Sequence, residues 1–338
     1  MCGNNLAAKS GTGLADGHGR RIDYIRLSLT DRCNFRCVYC MPPEGAAHIP
    51  HEEILSYEEL TRFCRISAAL GISRYKITGG EPLCRKGAVS FMRALKLMPG
   101  VKQVTLTTNG ALLAERLDEL ADLGLDGINV SLDTLSGDRY HTITRSVTSP
   151  EDVLNTLQKA RDRGFSVKIN AVPLKGYNDQ DIMPLARHAL ENGFHLRFIE
   201  LMPVGRAGQY EGIPQETIRR DIENCFGPLL PLGKRIGNGP AEHFSVHGHD
   251  GSIGFISALS KKFCHSCNRV RLTSSGYLKT CLHHDTGMEI KPLLRGGSTD
   301  EEISRAIIEA VQQKPAAHAF RKPEEGGVTE FTMNSVGG

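Results

Sequence analysis

The sequence predicts an α/β protein whose parallel strands curl toward a barrel with a polar lining. Three observations carry this expectation. Six strand-like segments between residues 24 and 201 are interleaved with amphipathic helix-like ones, the order that a parallel sheet requires. Most of those strands alternate apolar and polar residues, where strands buried between covering layers usually run continuously apolar. From about residue 203 the alternation gives way to segments rich in Gly and Pro.

In chain order, residues 1–20 lack the apolar stretch of a secretory signal and read as a flexible tail. The first strand is YIRLSLT (24–30), followed by the helical stretch SYEELTRFCRISAALG, which opens on Ser with Glu close behind and closes on Gly. YKITG (75–79) precedes VSFMRALKLMPG, and VTLTTN (104–109) precedes LLAERLDELADLG. INVSLD (128–133) leads to SPEDVLNTLQKARDRG, and VKINAV (167–172) and LRFIEL (196–201) complete the set. Period-two alternation places Arg26, Ser28 and Thr30 on one face, with Thr105, Thr107 and Asn109, then Asn129, Ser131 and Asp133, then Lys168 and Asn170. Helices must cover the apolar face, so the polar face turns inward and lines a cavity for a large hydrophilic ligand. An open sheet with one solvated face is the alternative. Beyond it, PQETIRRDIENCFG and residues 299–313 read as helices, and HFSVHGHDGSIGFIS as short antiparallel strands. The expected division is a tail over 1–20, the barrel over 21–235 and a smaller region over 236–338.

A net charge of +3 on 338 residues is too small to argue for a nucleic-acid or membrane surface. No run of eighteen apolar residues occurs, and a cytoplasmic location is expected. Ten cysteines are present, six of them in two triplets, a usage that favours metal or redox chemistry over disulfides. Cys64 and Cys225 lie in helical patterns and read as buried structural thiols.

The first triplet, Cys33, Cys37 and Cys40, has the spacing C-x3-C-x2-C directly after the first strand. Zinc motifs usually pair C-x2-C units. Thiolates also suit iron–sulfur clusters, and a cubane held by three cysteines leaves one iron open for a reactant. The segment CNFRCVYC resembles the signature of radical S-adenosylmethionine (SAM) enzymes, and KITGGEP (76–82) resembles their glycine turn. The resemblance implies a partial (β/α)6 TIM-type barrel, with SAM chelated to the open iron and cleaved to a 5′-deoxyadenosyl radical.

The second triplet, Cys264, Cys267 and Cys281, has the spacing C-x2-C-x13-C. Spacing alone leaves open a zinc site completed by His265, His283 or His284. Taken with RLSLTDRCNFRCVYCMP, ITGGEPL, LTTNG, INVSLD, RFIELMPVG and the terminal NSVGG, however, the segment resembles the GTP 3′,8-cyclases of molybdenum cofactor biosynthesis (the MoaA type). That resemblance implies a second [4Fe–4S] cluster facing the guanine base. Tyr39, Gly80, Ser131 and Met202 match cofactor-binding positions. Arg26, Lys76, Thr107, Lys168 and the segment Arg269, Val270, Arg271 match nucleotide-binding ones, and Arg197 matches a basic residue of the same cavity. Arg269, Arg271, Gly337 and Gly338 are the positions matched to productive chemistry, the two glycines as a tail reaching into the site. Lys76 stands where many relatives have Arg, which keeps the charge and loses the planar fork.

The residues agree independently: Arg26, Lys168 and Arg197 are charges on otherwise buried strands, and they need either an anion such as a triphosphate or pairing with Asp133 or Glu200. The implied reaction converts GTP to 3′,8-cyclo-7,8-dihydro-GTP. It implies an electron donor and a downstream cyclic pyranopterin monophosphate synthase as partners. The sequence leaves open whether the chain is a monomer or a homodimer. The rivals are a radical enzyme acting on a peptide or another small molecule, and a non-catalytic metal-binding or redox-sensing protein.

Overall fold

The computed structural model describes residues 13–47, 49–234, 236–320 and 333–337. The six expected strands all form: β1 (Tyr24–Ser28), β2 (Arg74–Thr78), β3 (Gln103–Thr108), β4 (Ile128–Ser131), β5 (Val167–Ala171) and β6 (His195–Ile199). They pair in parallel and in sequence order, with Arg26 opposite Lys76, Thr107 opposite Asn129 and Asn170 opposite Arg197. Between them run α1 (Tyr57–Ala69), α2 (Ala88–Lys96), α3 (Leu117–Asp122), α4 (Gly137–Thr144), α5 (Pro150–Asp162) and α6 (Ile182–Glu191). The Ser56 side chain and Glu59 close a reciprocal cap on α1, satisfying two orphan N–H groups.

The region after β6 adds α7 (Gln215–Phe226), the short strand β7 (Leu230–Pro231), β8 (Glu242–Ser245), β9 (Ser252–Ile256), β10 (Arg269–Leu272), β11 (Tyr277–Lys279) and β12 (Gly287–Glu289). It ends in α8 (Lys291–Arg295), α9 (Asp300–Gln312) and the single turn α10 (Met333–Val336). Its strands join the same sheet on both sides: β9 pairs in parallel with β6, and β10 pairs in parallel with β1. The full order is β12-β11-β10-β1-β2-β3-β4-β5-β6-β9-β8-β7, an unclosed sheet with antiparallel strands only at its flanks. Ile25, Leu27, Val104, Leu106, Ile128, Val130 and Ile169 face the helices in one continuous apolar core, so the opposite face carries the polar set.

Two expectations are corrected here. Residues 13–20 are held, not a tail: Leu14 is buried, and Arg20 binds Asp16 and also donates to the carbonyls of Cys264, Pro315 and Ala316. Cys64 is buried as expected, but Cys225 is exposed on the outer face of α7. Gly338 lies outside the described residues.

Candidate functional site

The loop from Cys33 to Cys40 leaves the carboxyl end of β1, where parallel barrels assemble their sites. Backbone N–H groups of Arg36 and Val38 donate to the carbonyls of Thr144 and Ile143 at the end of α4, at 2.9 Å each. Cys40 N donates to Cys37 O at 2.9 Å, so the loop is folded on itself as well as tethered. The glycine turn presses against the start of this loop. Gly80 N donates to Thr30 O at 2.7 Å, and a Cβ on Gly80 would lie 2.3 Å from Arg32 O and 2.7 Å from Asp31 O. Neither atom can yield, because both are backbone. Gly80→Ala is therefore expected to destabilise the fold by about 2–3 kcal/mol and to lower iron retention. Thermal melting together with iron analysis of the reconstituted protein checks it.

Cys33, Cys37 and Cys40 all line one cavity of about 320 Å³, as do Tyr39, Gly80, Ser131 and Met202. Burial chiefly, then Glu81 and Cys84, pushes the Cys33 thiol to about 11, and burial and then Cys33 push the Cys40 thiol to about 12; burial and then Cys40 hold Cys37 well above the usual thiol range. Such thiols ionise only against a positive centre, which is what a thiolate-bound iron cluster supplies. The donor set fits that group. Among the described residues no three His, Cys, Asp or Glu side chains converge on a single ion, and a cluster does not ask this because its thiolates bind different irons. Around the loop, Tyr39 OH donates to Asp133 Oδ2 at 2.7 Å, and Asp133 Oδ1 accepts from Val172 N at 2.8 Å. Burial raises Asp133 to about 6 despite these bonds, and Glu81, which accepts from Leu83 N, Thr108 Oγ1 and Asn109 N, to about 7.

Across the middle of the sheet the register sets Arg271, Arg26 and Lys76 side by side on β10, β1 and β2. All three line the cavity, together with Arg197, Arg269 and Thr107. Among the described residues Arg197 does not pair with a carboxylate: its Nε donates to Asn170 Oδ1 at 2.9 Å and its Nη2 to Asn129 Oδ1 at 2.6 Å. Asp133 and Glu200 are engaged elsewhere, Glu200 by the N–H groups of Leu259 and Ser260. The charge of Arg197 therefore has no carboxylate partner among the described residues, and burial lowers it to about 10. Burial, then Arg197, Arg26, Lys168 and Arg269, depresses Lys76 well below the ordinary lysine range. Arg269 Nε is buried without a hydrogen-bond partner among the described residues. Such crowding of like charge is unfavourable without an anion.

Three of the described matched positions do not line the cavity. The Val270 side chain points into the core, as the strand period dictates between Arg269 and Arg271. Lys168 sits at the start of β5, where its Nζ donates to Ser166 Oγ at 2.9 Å. Gly337 is the third, held beside the lining: Arg271 Nη1 donates to its carbonyl at 2.6 Å, and at φ +77° a Cβ there would lie 2.5 Å from Thr78 Cγ2.

The second triplet lies at the other end of the strands. Cys264 and Cys267 precede the amino end of β10, and Cys281 follows the antiparallel β11. All three line the same cavity. With β1 spanning five residues, roughly 15 Å of strand separates the two triplets. Burial raises the Cys267 thiol, but Arg269 and Lys314 more than offset it, so the net shift is downward and favours the thiolate. Lys314, buried and donating to Arg269 O at 3.0 Å, escaped sequence reasoning; a lysine just past a helix reads as an ordinary end cap. Asn129, Asn170 and Asp133 are visible in the sequence only as part of the polar face. No described helix is long and apolar enough to cross a membrane.

A cysteine triplet at the carboxyl ends of a parallel sheet, held by a glycine turn over a cation-lined cavity, defines a radical SAM protein, and residues 27–189 match the Radical SAM superfamily. Residues 194–320 match the family described as Molybdenum Cofactor Synthesis C. The chain is 39% identical to a GTP 3′,8-cyclase of Clostridium perfringens (strain 13 / Type A), over 96% of this chain and 100% of that protein. It is 42% identical to a GTP 3′,8-cyclase of Moorella thermoacetica, with the same coverage. The chain belongs to the GTP 3′,8-cyclase family, radical SAM enzymes of molybdenum cofactor biosynthesis that use SAM and iron–sulfur clusters. In solved structures the fold alone is matched by Streptococcus suis SuiB bound to S-adenosylmethionine, with TM-score 0.60, 15% identity, and 87% of this chain and 68% of that one covered.

Proposed function

We propose that this cavity carries out the cyclisation of GTP with the nucleotide laid between the two triplets. Cys33, Cys37 and Cys40 would hold one [4Fe–4S] cluster, with SAM near Tyr39, Gly80, Ser131 and Met202. Cys264, Cys267 and Cys281 would hold the second, toward the guanine. When bound, the first cluster and SAM would supply the radical chemistry: a hydrogen atom passes from C3′ of GTP to the deoxyadenosyl carbon, C3′ bonds to C8, and one electron with one proton then completes the dihydro product.

The chain's own contribution is orientation and exclusion of water. Arg26, Lys76, Arg197, Arg269 and Arg271 would take the triphosphate, with Thr107 beside them; Asn129 and Asn170 fix the direction of the Arg197 guanidinium. Gly337, bonded to Arg271, brings the tail alongside the cation row. The observation that carries this reading is the charge of Arg197, without a carboxylate partner among the described residues, in one cavity with the cations Arg271, Arg26 and Lys76 and with both triplets. Lys168 contributes field from behind that row. Burial and Arg197 lower it to about 8, so its charge is present below that value and lost above it. GTP affinity of the wild type is expected to fall more steeply than that of Lys168→Met as pH rises from about 8 toward 10, and titration calorimetry over that range checks it; identical profiles would remove Lys168 from the field acting on the phosphates.

The half-buried, oxidisable cysteine sites suit a reducing compartment, and we place the enzyme in the cytoplasm with a low-potential electron donor and a cyclic pyranopterin monophosphate synthase downstream. The test uses anaerobically reconstituted protein with dithionite, SAM and GTP. The expected result is about eight irons per chain and GTP-dependent formation of 5′-deoxyadenosine and 3′,8-cyclo-7,8-dihydro-GTP. Deoxyadenosine without a nucleotide product would reject GTP as the substrate, and zinc in place of iron at the second triplet would reject the second cluster.

A further inference from the structure

At the amino ends of β5, β6 and β9, four polar side chains meet behind the cation row. The register sets Lys168 beside His195, His195 beside Ser252, and His243 of β8 beside Gly254. Ser252 Oγ lies 2.9 Å from His195 Nδ1 and 3.3 Å from His243 Nδ1. A hydroxyl has one proton, so it donates to one imidazole and accepts from the other. Gly254 makes the arrangement possible: a Cβ there would lie 2.8 Å from His243 Cε1 and 3.1 Å from Arg197 Cγ. The imidazole and the stem of Arg197 thus share the space above a residue with no side chain.

His243 is 6% exposed, and its Nε2 has no hydrogen-bond partner among the described residues. The charged groups facing the pair are Lys168 of β5, Arg197 of β6 and Lys234 in the segment after β7, all cationic. The adjacent carboxylate, Glu242, is bonded to Lys261 at 2.8 Å instead. Burial first, then those cations, holds His195 at about 4 and His243 at about 3, so both rings are neutral in the free protein. A buried nitrogen left without a partner is unfavourable in this state. It gains a role in the state where an anion has reached Arg197.

We propose that His195 and His243, bridged by Ser252, form a proton-accepting pair behind the phosphate-binding cations, so that arrival of a polyanionic phosphate chain draws a proton onto the pair. The inference rests on the reading that Arg197 and its neighbours take the triphosphate. The sign follows from charge. An anion offsets Lys168 and Arg197, the imidazolium becomes favourable, and the complex binds more protons than the free protein. Affinity then rises as pH falls through the range where the complex titrates, by up to about tenfold per pH unit for each proton taken up.

Calorimetry of GTP binding to the cluster-loaded enzyme at about pH 6, in buffers of differing protonation enthalpy, counts the protons directly. The phosphates of GTP contribute equally to every variant. The wild type is expected to take up at least about half a proton more than His243→Asn, and to gain about threefold more affinity between pH 7.5 and 6. His195→Asn, at a half-buried position, should lose the same uptake and covers the case in which the buried substitution fails to fold. Equal proton counts in the wild type and a folded variant, with GTP bound in both, would overturn the pair. Absence of GTP binding to the wild type would instead overturn the phosphate site itself, and the pair with it.

Discussion

Cys37→Ala is expected to abolish formation of 5′-deoxyadenosine, with or without GTP. Only two thiolates would remain at the first triplet, one short of what a cubane with a single open iron requires. Iron should fall from about eight to about four per chain, while the second triplet, at the far end of the strands, keeps its own complement. GTP binding should survive, because the cation row stands on the middle of β10, β1 and β2 and not on the cysteine loop. Iron and sulfide analysis, electron paramagnetic resonance and product chromatography check this. Cleavage of SAM by a Cys37→Ala protein with full iron would refute the assignment of the first site.

Arg197→Leu carries the second large effect. The substitution removes a buried charge with no counter-ion among the described residues and leaves the Asn129 and Asn170 side-chain oxygens without the donors they now have. A charge-assisted contact to phosphate contributes about 1.5–3 kcal/mol, so GTP affinity should drop roughly 10- to 150-fold. SAM cleavage in the absence of GTP should be unchanged. Arg197→Lys should recover only part of the loss, since the ammonium cannot hold both Asn side chains and a phosphate in one plane. Equilibrium binding of GTP against basal cleavage separates the two, and equal loss in both would mean that Arg197 supports the fold instead of the ligand.

The strands are legible in the sequence because period two is a local signal and each half-polar face repeats it. Alternation alone assigns Arg26, Thr107, Ser131 and Asn170 to one surface, and all four line the cavity. The helices are less legible. The α4 sequence GDRYHTIT is rich in weak helix formers, and packing of Tyr140 and Ile143 decides its conformation. Yet α4 is what tethers the cysteine loop. In α6 a proline stands at the third position, which looks like a break and is tolerated in a first turn. Strand-like character at residues 252–256 is visible, but parallel pairing with β6 is not, because a partner some fifty residues away leaves no local trace. The same holds for Lys314, whose burial depends on Cys267 and Thr280. Chemistry is readable where residue type carries it, as in the cysteine triplets, and unreadable where only position does.

The way the last third of the chain joins the sheet has a consequence for its assembly. β9 and β10 occupy the two outer sides of the β1 to β6 array, and each is flanked in turn by antiparallel strands. A fragment ending near residue 200 would therefore expose two bare strands at once, β1 and β6, each a row of unpaired amides ready to recruit another molecule. During synthesis the nascent first half waits in that sticky state until the second half emerges. Truncated forms should accordingly be found in aggregates, and a premature stop anywhere after β6 and before β10 would leave the β1 edge open even though every residue of the first triplet had already been made.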